Sequence, residues 1–443
     1  VSLRASELSE HYGEIEGRFD VVEAPDMATL VVPNGNAGRA FHRWFHLKEG
    51  YSCDLLDRVL TETGLVERER LTIIDPFVGG GTTLISAAEW ALAAEGRSVR
   101  AVGIERNPFL AFLSRAKAEA FVAGELDVAA RPQVKGGRVS LPALSTFRHD
   151  DYFDPVQRDE LIRLRQAIAR EPDGVARRLR LLALTTSVEP VSKLRRDGRT
   201  LRRWPDKPET LARHELDDRL ARMNADLAGR TLVGPELVDL AVLDGDARDA
   251  DRLLEASFAA DLVVCSPPYP NNIDYTEVYK LEGWFLGAYA DPDAFREQRK
   301  RTLRSHPSVL FDERPTRFDQ QQQRALDHLV EPLIAAVPPG RYSKSRERVV
   351  EGYTYDMADT LRACRARAAP GGYMAVVIGN SLHGSGDESL LVAADLLIAG
   401  AAQVIGWSVD RIAVARRPAR RGASEPRLRE SLVLLRNDVA ATP

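Results

Sequence analysis

Two short runs in the chain combine residue types and spacings that chemistry can use. The first is Asp75-Pro76-Phe77-Val78-Gly79-Gly80-Gly81-Thr82-Thr83. Glycines that follow a strand let a ligand approach the backbone and turn the chain into a helix whose N-terminal amides face that ligand. The run has neither the Gly-Lys-Ser/Thr ending of a phosphate-gripping loop nor the GxGxxG spacing of the dinucleotide fingerprint, so a nucleoside triphosphate is disfavoured. Glu105, 26 residues beyond Gly79, stands near the place where nucleotide folds put an acid on the ribose hydroxyls. A ribose-bearing cofactor remains.

The second run is Val263-Val264-Cys265-Ser266-Pro267-Pro268-Tyr269, followed by Pro270-Asn271-Asn272-Ile273-Asp274-Tyr275. Adjacent prolines fix the backbone and withhold their amides, which leaves carbonyls and the Ser266 hydroxyl as acceptors. A base amine is a weak nucleophile because its lone pair is delocalised into the ring. Accepting its hydrogens at two fixed points favours the pyramidal geometry needed for attack on a methyl sulfonium. Tyr269 offers an aromatic face to an unstacked base. Taken alone, Ser-Pro-Pro-Tyr is equally a rigid turn. Cys265 raises a rival chemistry, thiolate attack on a cytosine ring carbon, but it sits inside an apolar strand, where a small buried residue is the better account.

Strands and helices must position these runs. Residues 71–75 read as a strand that stops at Pro76, residues 83–92 as a helix with its end near Gly96, and residues 99–104 as a second strand. Strand, helix and strand in that order imply a parallel sheet with right-handed crossovers. Apolar runs at 237–243, 261–265 and 373–378, the last introduced by Pro370-Gly371-Gly372, are further strands, and their unbroken apolarity fits burial on both faces. The expected fold is α/β: a doubly wound, mostly parallel sheet with helical insertions. Its expected parts are 1–111, an N-terminal segment with the cofactor half; 112–235, a helical insertion suited to nucleic-acid recognition; 236–286, the catalytic half; 287–352, a second insertion; and 353–443, the last core strands. That final part should close in a hairpin at the sheet edge, with its turn between Arg417 and Pro426.

Residues 75–83 resemble motif I of the DNA amino-methyltransferases, Glu105 resembles their motif II acid, and Ser266 to Tyr269 resembles motif IV, the DPPY/SPPY motif. Asp246 is similar to the motif III acid, residues 41–56 to motif X, and residues 371–381 to the strand that lines the target pocket. The resemblance implies a Rossmann-like methyltransferase using S-adenosyl-L-methionine, with Ser266, Pro267, Pro268 and Tyr269 catalytic. It implies a cofactor set of Asp75, Phe77, Gly79, Gly81, Thr82, Glu105, Asn107, Asp246 and Ser52. It further implies DNA as substrate, with room for a restriction or phage-defence partner protein. Two departures matter: the cofactor motif precedes the catalytic one, and Ser266 stands where many relatives have Asp, which favours cytosine N4 over adenine N6. An RNA amino-methyltransferase is the nearest rival, and a catalytically dead nucleic-acid-binding subunit the rival from another class.

The net charge of −4 argues against a general nucleic-acid coat, so any binding surface is local. Lys193, Arg195, Arg196, Arg199, Arg202 and Arg203, beside Gly198 and Trp204, are expected to form a phosphate-contacting loop. Lys300, Arg301 and Arg304 are a second candidate, and Arg416-Arg417 with Arg420-Arg421 a weaker one, since hairpin tips are commonly charged. With 44% hydrophobic and 28% charged residues, no apolar run of membrane-spanning length and no secretion-signal pattern at its start, the chain reads as soluble and cytoplasmic, with no membrane partner. Three scattered cysteines imply no disulfide framework, no histidine is ligand-spaced with a cysteine, and His42 and His46, four apart, read better as half-exposed histidines than as a metal pair.

Overall fold

The computed structural model describes residues 3–134, 136, 139, 149–197, 200–271, 273–311, 315–338, 343–384, 389–418 and 426–438. Eight strands form one sheet: β1 (Val21–Glu23), β2 (Arg70–Asp75), β3 (Ser98–Glu105), β4 (Val238–Asp244), β5 (Ala260–Cys265), β6 (Ala368–Gly379), β7 (Ser408–Arg416) and β8 (Glu430–Arg436). Their order across the sheet is β1-β7-β8-β6-β5-β2-β3-β4. Strands β4, β3, β2, β5 and β6 are mutually parallel, and β8 runs antiparallel between β6 and β7. The fold is therefore α/β and doubly wound, as expected.

Apolarity runs unbroken along the central strands because consecutive side chains enter two different cores. Leu71, Ile73, Val99, Ala101, Leu262 and Val264 face one, with helices Leu55–Glu62, Thr82–Leu92 and Pro108–Val122. Ile74, Val102, Val263, Cys265, Met374 and Val376 face the other, with helices Ser343–Arg365 and Ala394–Ile405. Burial on both faces is the condition that parallel sheets meet. Cys265 is fully buried there, and burial pushes its thiol well above the usual range, which suits packing and not nucleophilic attack on a base.

Some expected boundaries move. Helix Pro108–Val122 runs through the junction expected at 111/112, because the crossover after β3 needs it to cover the sheet, and helix Ser343–Arg365 likewise crosses 352/353. The first insertion supplies helices Pro155–Ala169, Val175–Val191 and Ala212–Ala228, all packed into the first core. The β7–β8 hairpin does not lie at the sheet edge: β8 inserts between β6 and β7, and β1 takes the edge beyond β7. Pro370-Gly371-Gly372 lies inside β6, where Gly371 has φ of +74° and the pairing with β5 shifts register. Among the described residues no helix is long and apolar enough to cross a membrane.

Candidate active site

Parallel strands end at the same edge, and this is what assembles the site. Asp75 pairs with Gly103, Glu105 with Asp244 and Cys265 with Val376, so the loops after β2, β3, β4 and β5 emerge side by side. From β2 the chain moves outward through β3 and β4, then returns to place β5 on the other side of β2. That reversal leaves a crevice at the strand ends, the usual ligand position in such sheets. A cleft of about 860 Å³, counted to its open mouth, occupies it.

Eight of the expected residues line that cleft: Phe77, Gly79, Glu105, Asn107, Asp246, Ser266, Pro267 and Pro268. Gly79 has φ of +48°, which a side chain rarely adopts, and an added Cβ would meet Leu47 Cδ2 at 3.1 Å. The Gly79 amide donates to Glu105 Oε2 (3.0 Å), while the amides of Arg106 and Asn107 donate to Oε1 (2.9 and 2.7 Å). Burial pushes the Glu105 carboxyl up to about 7, although these three donors favour its ionised form. Asn107 caps helix Pro108–Val122 by accepting the Phe109 amide at 3.0 Å, and its buried Nδ2 has no acceptor among the described residues.

Four of the expected cofactor residues stand behind or beside the cleft. Asp75 is buried beneath the glycine loop, where it accepts the Phe77 amide (2.9 Å), the Tyr51 hydroxyl (3.1 Å) and the Thr83 hydroxyl. Burial raises its carboxyl to about 6. Gly81, at φ +80°, packs so closely on Ser114 that a Cβ would sit 3.3 Å away. Ser52 is buried and accepts the Asp54 amide (3.3 Å), and Thr82 opens the helix on the side away from the cleft, facing a cavity with His42 and Lys117. These residues shape the loop and do not line the cleft.

Tyr269 is the main correction. Its ring packs against Gly379 on β6, where an added Cβ would be 2.8 Å from Cε2, and its hydroxyl donates to Glu430 Oε1 at 2.9 Å. Tyr275 and Tyr279, which sequence reasoning did not single out, provide the aromatic wall instead. Glu430 in turn accepts from Arg416 Nε at 2.5 Å, and Ser266 Oγ lies 3.5 Å from the Tyr269 hydroxyl. The next carbonyl, of Pro270, accepts Ser381 Oγ and meets His383 Nε2, both at 2.7 Å. The Ser-Pro-Pro-Tyr turn is thus pinned from β6, from β8 and from the strand Ser381–His383.

The remaining walls come from segment 41–49 and Asp246, both read from the sequence, and from the second insertion, which carried no local signal. Segment 41–49 is bolted to helix Ala212–Ala228 through Asp226, which accepts from Trp44 Nε1 (2.8 Å), the Phe41 amide (3.2 Å) and Arg43. Its Glu49 accepts the Tyr279 hydroxyl at 2.5 Å. Asp246 lines the cleft while held by Arg248 (2.7 and 2.9 Å) and Arg106 (2.7 Å). Ser305 and His306, from the second insertion, also line it.

The basic residues divide. Hairpin strands Leu194–Arg196 and Leu201–Arg203 carry Arg195, Arg202 and Arg203 exposed, with Arg195 5.0 Å over the Trp204 ring. Lys193 beside them is half-buried, and Arg199 lies outside the described residues. Arg196 is not available as expected: it is turned inward to the fully buried Glu282. Arg304 is likewise committed, to Asp356 at 2.8 Å, and Lys300 pairs with Glu297 at 2.7 Å. Arg301 is exposed. Arg416 and Arg417 serve Glu430 and Glu23, and Arg420-Arg421 lie outside the described residues.

Comparison with known proteins finds 25% identity over 412 residues, covering 87% of this chain and 83% of the other, with the type II methyltransferase M.AvaI of Nostoc sp.. The chain is thus similar, over most of its length, to a type II methyltransferase. M.BsoBI of Geobacillus stearothermophilus, also a type II methyltransferase, is 25% identical over 309 residues, 62% of this chain and 58% of that one. No family model matches. Among solved structures, the rRNA methyltransferase AviRa from Streptomyces viridochromogenes overlaps 88% of this chain and 86% of its own at 12% identity, with a TM-score of 0.29. An overlap that loose says nothing about the fold, which stands on the strand order.

The cleft is chemically suited to an adenosyl sulfonium. Among the described residues Glu105 forms no ion pair with a side chain and Asn107 Nδ2 has no acceptor, so Glu105 keeps acceptor capacity for hydroxyls and Asn107 a donor in the wall, while Phe77, Ile104 and Leu110 supply an apolar surface for a ring.

Proposed function

We propose that this protein methylates the exocyclic amino group of a base in DNA, cytosine N4 in preference to adenine N6, using S-adenosyl-L-methionine. The observation that carries the reading is that Gly79 and Glu105 on one side and Ser266 and Pro267 on the other line a single cleft. The type II methyltransferase relatives support the same reaction class.

When bound, the cofactor supplies an electrophilic methyl group on a sulfonium. Glu105 and Asn107 hold its ribose, and Phe77, Ile104 and Leu110 cover its adenine. Ser266 Oγ and the Pro267 carbonyl accept the hydrogens of the target amine and turn its lone pair toward the cofactor side. Tyr275 and Tyr279 face the flipped base. Tyr269 acts from behind: it donates its proton to Glu430 and keeps the Ser266 turn in register. Lys193, Arg195, Arg202, Arg203 and Arg301 are the expected phosphate contacts. The protein works in the cytoplasm, where its three buried free cysteines remain reduced.

Incubation with labelled cofactor and DNA or RNA, followed by nucleoside mass spectrometry, tests the reading directly. N4-methylcytosine in DNA is the expected product. N6-methyladenine corrects the base, methylated RNA replaces the substrate class, and cofactor binding without any transfer favours a binding subunit.

A further inference from the structure

A second chamber adjoins the cleft and shares Glu49 and Tyr279 with it. It lies between segment 41–49, helices Val175–Val191 and Ala212–Ala228, and the arginine hairpin, and six Lys or Arg side chains line it. Three of them are committed: Arg43 to Asp226, Arg196 to Glu282, and Arg219 to Glu215 at 2.7 Å. The other three, Lys48, Arg195 and Arg222, are exposed and have no carboxylate partner among the described residues. The two acids in the wall, Glu49 and Glu189, offset the six cations only in part. Glu49 is engaged by the Tyr279 hydroxyl, and Glu189 faces Arg196 and Lys207, each at 3.8 Å.

We propose that this chamber holds the sugar-phosphate backbone of the DNA strand whose base enters the cleft, with Lys48 and Arg222 as phosphate contacts. The proposal rests on the DNA-methylating reading above and extends it to a path for the strand. Lys48, Arg195 and Arg222 sit on three different elements that line one chamber. A backbone with a charge every ~3.4 Å per strand can meet all three. The chain as a whole carries −4, so a polyanion is held where cations are left over, and three such cations line this chamber. The Asp226 bolt fixes segment 41–49 against the helix that carries Arg222, so both sides of the chamber are set before substrate arrives.

The test is fluorescence anisotropy of a labelled DNA duplex against the full-length protein over a range of KCl concentrations, for wild type, Lys48→Gln, Arg222→Gln and the double variant. The KM for DNA and the Kd for cofactor are measured alongside. Each lost phosphate contact reduces the slope of log K against log salt by ~0.9, so the double variant loses ~1.8. Affinity falls evenly across DNA sequences, KM for DNA rises and cofactor Kd stays put. Thermal melting of the variants should match wild type, since both side chains are exposed. Unchanged salt slopes in variants of an enzyme that methylates DNA overturn the chamber assignment alone. Wild-type protein that neither methylates nor binds DNA overturns both readings. Equal loss of cofactor affinity gives the chamber to the cofactor, and tighter, steeper binding of an RNA of equal length gives it to another polymer; either result refutes the proposal.

Discussion

Gly379→Ala separates the target side of the site from the cofactor side. An alanine Cβ there would lie 2.8 Å from Tyr269 Cε2 and 3.0 Å from Cδ2, whereas carbon atoms pack at ~3.5–4.0 Å. The ring must therefore retreat by roughly 0.7–1 Å. It cannot do so freely, because its hydroxyl is held by Glu430 at 2.9 Å and the adjoining Pro270 carbonyl by Ser381 and His383 at 2.7 Å each. Overpacking of this kind costs about 1–3 kcal/mol, and displacement passes along the rigid Pro-Pro turn to Ser266. A catalytic group misplaced by ~1 Å can lose ~100-fold in rate, so kcat should drop between about tenfold and a hundredfold. Gly79 and Glu105 hang from β2 and β3 and should keep cofactor Kd within about twofold of wild type, since the clash does not reach them. Initial-rate methyl transfer, cofactor calorimetry and thermal melting read the three effects. Combining Gly379→Ala with Tyr269→Ala removes the clash, so the double variant should melt no lower than Tyr269→Ala alone. Wild-type kcat with an unaltered melting temperature, or a cofactor Kd that worsens in step with kcat, would refute the reasoning.

Ser266→Ala should lower kcat by about a hundredfold or more with cofactor Kd unchanged, as expected for a lost acceptor in a preorganised site; single-turnover transfer checks this. Burial raises Glu105 to about 7, and in the proposed cofactor site ribose hydroxyls would bind its ionised form. Cofactor affinity should therefore improve as pH rises toward and through 7 and then level off, with at most ~tenfold per pH unit below it, while Glu105→Gln flattens the calorimetric profile. Lys117 is buried behind the loop, donates to the Gly80 carbonyl at 2.8 Å, and burial lowers it from 10.5 to about 7. Between those values the unfolded chain holds the extra proton, so stability should rise with pH across that window by at most ~1.4 kcal/mol per unit; Lys117→Met should abolish that slope in melts taken at several pH values. Arg196→Met strands the fully buried Glu282 and should cost about 3–5 kcal/mol in urea denaturation. Arg202→Gln, whose side chain is 72% exposed, should cost under ~0.5 kcal/mol.

The sequence by itself determined the sheet and its two chemical loops. Apolar runs of strand length, a glycine turn after β2, an acid closing β3 and two prolines closing β5 are local signals, and each depends on backbone preferences that act within a few residues. Parallel strands with a common terminal edge do the rest, and Gly79, Glu105 and Ser266 meet because of it. Tertiary structure alone decided which side chains are free to act. Arg196, Arg202 and Arg203 look alike in the chain, but whether an arginine meets a solvent-borne phosphate or a buried Glu282 depends on a partner 86 residues away. The aromatic wall passed from Tyr269 to Tyr275 and Tyr279 for the same reason, since Gly379 and Glu430, remote in sequence, claim the Tyr269 ring and hydroxyl. Lys48 and Arg222 form no run with each other. Their shared chamber exists only because Asp226 binds one segment to the other, and long-range pairing of that kind leaves no period, spacing or composition to read.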